Sequence, residues 1–366
     1  MVVKLPMAAR TVGDGRRYEG ALRMAAAARA APSRPAVAPP PPGAPLTDRH
    51  GRRIRYLRLS VTDRCNLRCT YCAPAGPCAF LSRGECLRDE EILEVLAAMA
   101  ARGLEKVRFT GGEPLVRPGL LGLIERAARL PGLRLLCLST NGLLLAPLAA
   151  ELHAAGIRRF NVSLDSLVPE RFRRLTGGGE LSRVWRGIEA VLALGTAELK
   201  LNVVLMRGVN DDELEAFVEL SHRLPIEVRF IELMPLAHQD AEHPLRFLPA
   251  AELVRRLERA GAEPLARGPA DGPARLWRLP GAAGTTGVIS PVSDPHFCDS
   301  CNRVRLGADG KLKLCLFGDA HLDLRAVLRA PGYERAALDA ALDRALHLKP
   351  EKMAGFAGFT MMGIGG

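Results

Sequence analysis

The chain has 366 residues, is 48% hydrophobic and only 5% aromatic, and carries a formal net charge of +11 at pH 7. That is enough apolar material for one large core and a smaller appended unit, built mostly from Leu, Val, Ala and Ile. No apolar run approaches the roughly 20 residues of a membrane span and the front lacks a secretory leader's layout, so the nine cysteines read as reduced thiols of a cytoplasmic protein, for metal or catalysis before disulfides.

Residues 1–47 are rich in Ala, Arg and Pro and end in "AVAPPPPGAP". Polyproline neither joins a sheet nor continues a helix, so this stretch reads as a mobile arm. It reads as a dispensable extension, with Met24 as an alternative start, or as an Arg-rich, acid-poor import signal. Residues 1–53 hold +7 of the charge and the remainder only +4. The globular part is therefore close to balanced, which argues against a duplex-binding surface and fits an enzyme with an anionic ligand.

From residue 54 short Leu-rich or β-branched runs alternate with amphipathic ones. Strands are expected at 54–61, 106–109, 133–139, 157–164, 198–205 and 226–233, with helices between them. In the helix expected at 89–103, Ile92, Val95, Leu96 and Met99 form one stripe and Gly103 ends it. Six βα units predict a parallel sheet, as an open doubly wound sheet or a partial barrel, and spacing alone does not choose. The unusual residues follow strand ends: the cysteine loop, "TGGEP" (110–114), "TNG", "SLDS" and "MP". In a barrel those ends form one rim, which favours the barrel. Residues 240–297 read as irregular. Beyond them, Asp309-Gly310 marks a hairpin that returns Cys315 toward Cys298 and Cys301. The end, "GFTMMGIGG", reads as a loose tail.

Cys65, Cys69 and Cys72 place three thiols in one loop after a strand. A structural zinc site wants four ligands, usually in two close pairs. A [4Fe–4S] cube held through three irons leaves the fourth open to a ligand that is not protein. Cys298, Cys301 and Cys315 repeat the count of three, either as a zinc ribbon completed by His296 or as a second cluster. In "NRVR", Arg303 and Arg305 fall on one face of a strand, a guanidinium fork suited to phosphate or a purine edge. Cys137 reads as core, and Cys78 and Cys86 as incidental.

The first triad, with Tyr71 before its last cysteine, and "TGGEP" one βα unit later resemble the radical S-adenosylmethionine superfamily. With the second triad, "NVSLDS", "LNVVLM", "RFIELMP" and the terminal Gly-Gly, residues from about 50 to 366 resemble its GTP 3′,8-cyclase family, which opens molybdenum-cofactor biosynthesis. The resemblance implies an α/β fold: a partial (β/α)6 TIM-like barrel over 48–240, closed by a C-terminal region, 241–366, that carries a second Fe–S cluster. It implies two [4Fe–4S] clusters, on Cys65, Cys69 and Cys72 and on Cys298, Cys301 and Cys315, with S-adenosylmethionine as the other cofactor. Tyr71, Gly112, Ser163 and Met234 match positions around S-adenosylmethionine, with two glycines of "TGGEP" admitting its methionyl group. Arg58, Arg108, Ser139, Lys200, Arg303, Val304 and Arg305 match positions around GTP, although Ser139 stands where Thr is commoner. Arg303, Arg305, Gly365 and Gly366 match catalytic positions. The implied partners are GTP, a low-potential electron donor and a downstream cyclic pyranopterin monophosphate synthase; nucleic acid and membrane are not among them, and a homodimer is left open. Two other readings remain: a radical enzyme that modifies peptides, whose relatives carry more C-terminal cysteines, and a zinc-ribbon nucleic-acid-binding protein.

Overall fold

The expected strands form β1 (Tyr56–Ser60), β2 (Lys106–Thr110), β3 (Leu135–Thr140), β4 (Ile157–Ser163), β5 (Glu198–Leu205) and β6 (Glu227–Glu232). The computed structural model describes residues 43–72, 79–235, 243–266, 272–318 and 320–353, which belong to one unit, Ala36–Gly366. Cys78, Gly365, Gly366 and most of the N-terminal arm lie outside these residues.

The six strands pair in chain order and all in parallel. Their outward residues, such as Leu57, Leu59, Val107 and Phe109, are fully buried in the apolar core. Alternation along a strand dictates this two-faced arrangement. The first helix, Asp89–Ala101, shows how local sequence fixes the cover. Asp89, Glu90 and Glu91 occupy its first turn, where the helix dipole favours acids. The Glu91 carboxylate also accepts the Arg88 N–H at 2.8 Å. Ile92, Val95, Leu96 and Met99 are all buried, as their stripe requires.

Residues 240–297 depart from the irregular expectation. They contain the helix Ala250–Arg259 and strands β7 (Glu263–Pro264), β8 (Arg275–Arg278) and β9 (Thr285–Ile289). β9 pairs in parallel with β6, and β10 (Arg303–Leu306) pairs in parallel with β1. The parallel array therefore has eight strands, β10-β1-β2-β3-β4-β5-β6-β9. β11 (Lys311–Lys313) and β12 (His321–Asp323) extend the β10 edge antiparallel, and β8 and β7 extend the β9 edge, giving a twelve-stranded mixed sheet. This is an α/β architecture whose mixed sheet is consistent with a partial TIM barrel.

β9 and β10 are not paired with each other. Residues 290–302 connect them, from the C-terminal end of one edge strand to the N-terminal end of the other. Glu232, at the end of β6, holds the start of this connection: its carboxylate accepts the N–H groups of Val292 (2.9 Å) and Ser293 (3.0 Å). The register aligns Arg305, Arg58, Arg108, Cys137, Arg159 and Glu198 in one row across the sheet. An ordinary barrel fills such rows with branched apolar side chains. A row this cationic leaves space that apolar packing would have closed.

Candidate active site

A cavity of about 350 Å³ occupies that space. All six cysteines of the two triads line it. So do Arg58, Arg108, Ser139, Lys200, Arg303, Val304, Arg305, Tyr71, Gly112, Ser163 and Met234. Tyr56 on β1 lies beside Arg303 on β10, so the second triad enters near the start of β1 while the first follows its end. Five strand residues at about 3.3 Å each put roughly 16 Å of strand between those ends. The two triads thus face one cavity from opposite ends of the sheet.

The first triad is fixed by its neighbours' backbone. Arg68 N–H donates to Thr176 O (3.0 Å) and Thr70 N–H to Leu175 O (2.9 Å), at the end of the helix Pro169–Thr176. Gly112 N–H donates to Thr62 O and Glu113 N–H to Arg64 O, both at 2.8 Å. A Cβ at Gly112 would collide with the Arg64 and Asp63 carbonyls. Within the protein, then, this glycine of "TGGEP" admits the cysteine loop itself. Cys65 Sγ accepts the Leu67 N–H at 3.4 Å. Burial pushes the thiols of Cys65 and Cys69 up, Cys69 well up, with Glu113 adding to the first and Asp165 to the second.

Those two carboxyls are themselves buried. Glu113 accepts from Asn141 N–H and Thr140 Oγ1, both at 2.7 Å, yet burial outweighs these bonds and raises it to about 7. Asp165 accepts the Tyr71 hydroxyl at 2.6 Å and the Val204 N–H at 2.8 Å, and burial raises it to about 6. Tyr71, one of the residues expected near S-adenosylmethionine, is therefore oriented by Asp165.

In the second triad, Cys301 N–H donates to Cys298 O at 3.1 Å, a tight turn. Arg305 pairs with Lys313 and Leu306 with Leu312 across the hairpin. The hairpin thus returns Cys315 toward Cys298 and Cys301, as expected, and all three line the cavity. Burial pushes the Cys301 thiol up, but Arg303 and Lys349 outweigh it and bring it down to about 7. His296, weighed as a fourth zinc ligand, is exposed and bonds Asp299 through Nδ1 at 2.9 Å. Cys137 is fully buried and Cys86 half-buried.

Between the triads the walls are polar. Arg108 donates from Nε to the Tyr56 hydroxyl at 2.6 Å and from Nη1 to Ser139 Oγ at 3.3 Å. Lys200 Nζ donates to Glu227 at 2.6 Å, and Arg229 shares the same carboxylate. Burial lowers Arg58 to about 10, and burial with Arg58 and Arg303 nearby lowers Arg305 well below its ordinary range. Val304 is buried in the core, so its side chain serves packing. Tyr56, Lys106, Asn161, Asn202 and Arg229 also line the cavity, and the sequence reading had not assigned them. Tyr56, Lys106, Asn161 and Asn202 each lie two positions from an assigned residue, and period-two alternation is the signal that finds them.

The residues fit the groups that the triads imply. Arg58 Nε, Asn161 Oδ1 and Asn202 Oδ1 are buried in these walls without a partner among the described residues. Each such atom costs about 1–3 kcal/mol when left unmade. One donor and two acceptors on one cavity mark a place for a polar ligand that both accepts and donates hydrogen bonds.

Residues 59–221 match the sequence profile of the Radical SAM superfamily, and residues 226–355 match that of Molybdenum Cofactor Synthesis C. A GTP 3′,8-cyclase of Geobacter sulfurreducens is 47% identical over 328 residues, which is 88% of this chain and 99% of that one. A GTP 3′,8-cyclase of Alkaliphilus metalliredigens is 45% identical over 84% of this chain and 94% of its own length. Among solved structures, Streptococcus suis SuiB superposes with a TM-score of 0.55 at 13% identity, over 84% of this chain and 68% of that chain. That likeness is one of fold alone.

Proposed function

The chain belongs to the GTP 3′,8-cyclase family, and from that membership we infer that it converts GTP to (8S)-3′,8-cyclo-7,8-dihydro-GTP, the first step of molybdenum-cofactor biosynthesis. It is a radical S-adenosylmethionine enzyme that uses two [4Fe–4S] clusters. Bound together, the first cluster and S-adenosylmethionine would supply the radical chemistry that hydrogen removal from C3′ of GTP requires. We assign Cys65, Cys69 and Cys72 to hold that cluster, and Cys298, Cys301 and Cys315 to hold the second at the other end of the cavity.

The protein's own contribution is position and exclusion. Tyr71, Gly112, Ser163 and Met234 form the S-adenosylmethionine side of the cavity, and Asp165 fixes the phenol of Tyr71. Arg58, Arg108, Lys200, Arg303 and Arg305 surround the nucleotide from β1, β2, β5 and β10, as a triphosphate demands. Ser139 steadies Arg108, and Val304 holds the two arginines of its strand on the cavity face. We give Arg303 and Arg305, with Gly365 and Gly366, the catalytic positions, the glycines on resemblance alone. A radical of this reactivity needs its target in contact and water out. The connection 290–302, clamped by Glu232, supports that closure from the C-terminal region, 241–366, against the barrel region, 48–240.

The observation that carries the reading is that both triads and the cationic row line one cavity. It disfavours the peptide-modifying and zinc-ribbon readings, which leave the guanidinium row without a task. A low-potential electron donor, a downstream cyclic pyranopterin monophosphate synthase, a homodimer and a cytoplasmic location complete the proposal; no helix of the described residues is long and apolar enough to cross a membrane. Anaerobic reconstitution should give roughly eight iron and eight sulfide per chain. With GTP, S-adenosylmethionine and dithionite it should yield 5′-deoxyadenosine and the cyclised nucleotide by mass. Zinc without sulfide, or 5′-deoxyadenosine with GTP unchanged, overturns the reading.

A further inference from the structure

Lys349 lies just past the last helix, Arg335–His347, and is only 2% exposed. Its ammonium donates to Leu314 O at 2.5 Å, Arg303 O at 3.0 Å and Cys301 Sγ at 3.6 Å. Leu314 precedes Cys315 and Arg303 follows Cys301 by two, so one side chain joins both arms of the hairpin that carries the second triad. It sits behind the cysteines and does not line the cavity.

The carbonyls satisfy the ammonium's hydrogens, but not its charge. No carboxylate of the described residues pairs with it: Asp299 in the turn is exposed and bonds His296, and Asp48 pairs with Arg52 at 2.7 Å. Arg303 lies across the triad, and Arg52 donates to Cys298 O at 3.1 Å and to Pro350 O at 2.5 Å. Desolvating an ammonium is costly unless an anion compensates it. Here three cations gather around three thiols. Three thiolates on a [4Fe–4S] cube leave a net negative charge in both its oxidised and its reduced form, and that charge grows on reduction.

We propose that Lys349 is a positioning residue for the second cluster: it compensates the charge at Cys301, braces both hairpin arms so that their cysteines face the cavity, and raises the cluster's reduction potential. Hydrogen bonds and charges at cluster sulfurs are among the protein's levers on such potentials. The inference rests on Cys298, Cys301 and Cys315 being the ligands of that cluster. Arg52 ties the next two residues to the same turn through Pro350 O and Glu351 O, so the segment leading to the C-terminus is anchored on the triad.

The test is Lys349→Met, which keeps the length and drops the charge, with Lys349→Arg as the conservative partner, each reconstituted anaerobically. Iron per chain is measured, and the midpoint of each cluster is followed by redox titration with electron paramagnetic resonance. Comparison with Cys298→Ser assigns the second cluster's signal. In Lys349→Met that signal should shift to a more negative potential, or half of the iron should be lost. The first cluster's signal and S-adenosylmethionine cleavage should stay unchanged, and Lys349→Arg should recover potential and iron. An unshifted second signal with full iron in Lys349→Met overturns the proposal, as does a loss that Lys349→Arg does not restore. If Cys298→Ser itself loses no iron, the ligand assignment fails, whatever Lys349 does.

Discussion

Around Cys65 and Cys69 the buried charged groups are the carboxyls Glu113 and Asp165, and the hydrogen-bond donor to Cys65 Sγ at 3.4 Å is a neutral backbone N–H. Around Cys301 they are Arg303 and Lys349, and the donor to its sulfur is an ammonium. Burial pushes the thiols of Cys65, Cys69 and Cys298 up, whereas at Cys301 neighbouring cations reverse the direction. Reduction adds a negative charge to a cluster. Acidic neighbours resist that charge and make the reduced state a stronger donor, whereas cations stabilise it. On the proposed assignment, the same three-thiol count suits electron delivery at one end of the cavity and an anionic ligand at the other.

The largest effects should come from taking the ends apart. Cys69→Ala should bring both 5′-deoxyadenosine and cyclised product to background. Cys298→Ser should keep 5′-deoxyadenosine formation within about threefold of wild type while product falls to background, an uncoupling read by quantifying both in one incubation. If the two variants lose both products equally, the division of labour collapses. If Cys298→Ser keeps cyclisation, the second triad has no part in the reaction.

The acidic end can be tested without any cluster. Glu113 is raised to about 7 and Asp165 to about 6, so each holds its proton more tightly folded than unfolded. Their contribution is fully present below the unfolded values near 4 and is lost as pH rises through 6 to 7. Each loss is on the order of 3 kcal/mol as an upper figure. Denaturant unfolding of cluster-free protein should therefore show stability falling between pH 5 and pH 7, and Glu113→Gln should remove part of that slope. Stability rising over that window in wild type would contradict the burial of these acids. Cys301, lowered to about 7, titrates above it and acts with the opposite sign.

What the sequence disclosed, it disclosed through local signals. Cysteine spacing marked both triads, alternation marked β1 to β6, and Asp309-Gly310 marked the hairpin that returns Cys315 toward Cys298 and Cys301, though not its register. β9 escaped because a glycine interrupts "TTGVI" inside a Pro- and Gly-rich stretch, and its pairing with β6 is decided by the sheet. The helix Ala250–Arg259 has a readable Leu253/Leu257 stripe, obscured by the irregular sequence around it. Lys349 was invisible for a different reason. "LKPEK" looks like exposed chain, and the residue's partners lie 35 to 48 positions away. The same holds for Glu232, whose backbone partners lie 18, 60 and 61 residues on.

The smallest effect separates the cationic wall from both triads. Tyr56 accepts Arg108 Nε at 2.6 Å, and its ring lies 4.7 Å from Lys106 Nζ. Tyr56→Phe keeps the ring and its cation–π contact but removes the oxygen that aims Arg108. A hydrogen bond to a charged group contributes about 1.5 kcal/mol at the low end, or roughly tenfold in binding. KM for GTP should rise by about that factor, with S-adenosylmethionine cleavage unchanged, since the phenol faces the nucleotide side. Burial pushes Tyr56 up, but Arg108, Arg58 and Lys106 outweigh it and bring it down to about 8. Above that pH a phenolate would compete with the triphosphate for the same cations, so the wild-type KM should climb between about pH 7 and 9 (roughly one unit either side of the transition) while that of Tyr56→Phe stays level. Equal losses of cleavage and cyclisation in Tyr56→Phe would instead tie the residue to the acidic end and erase the boundary between the two halves of the cavity.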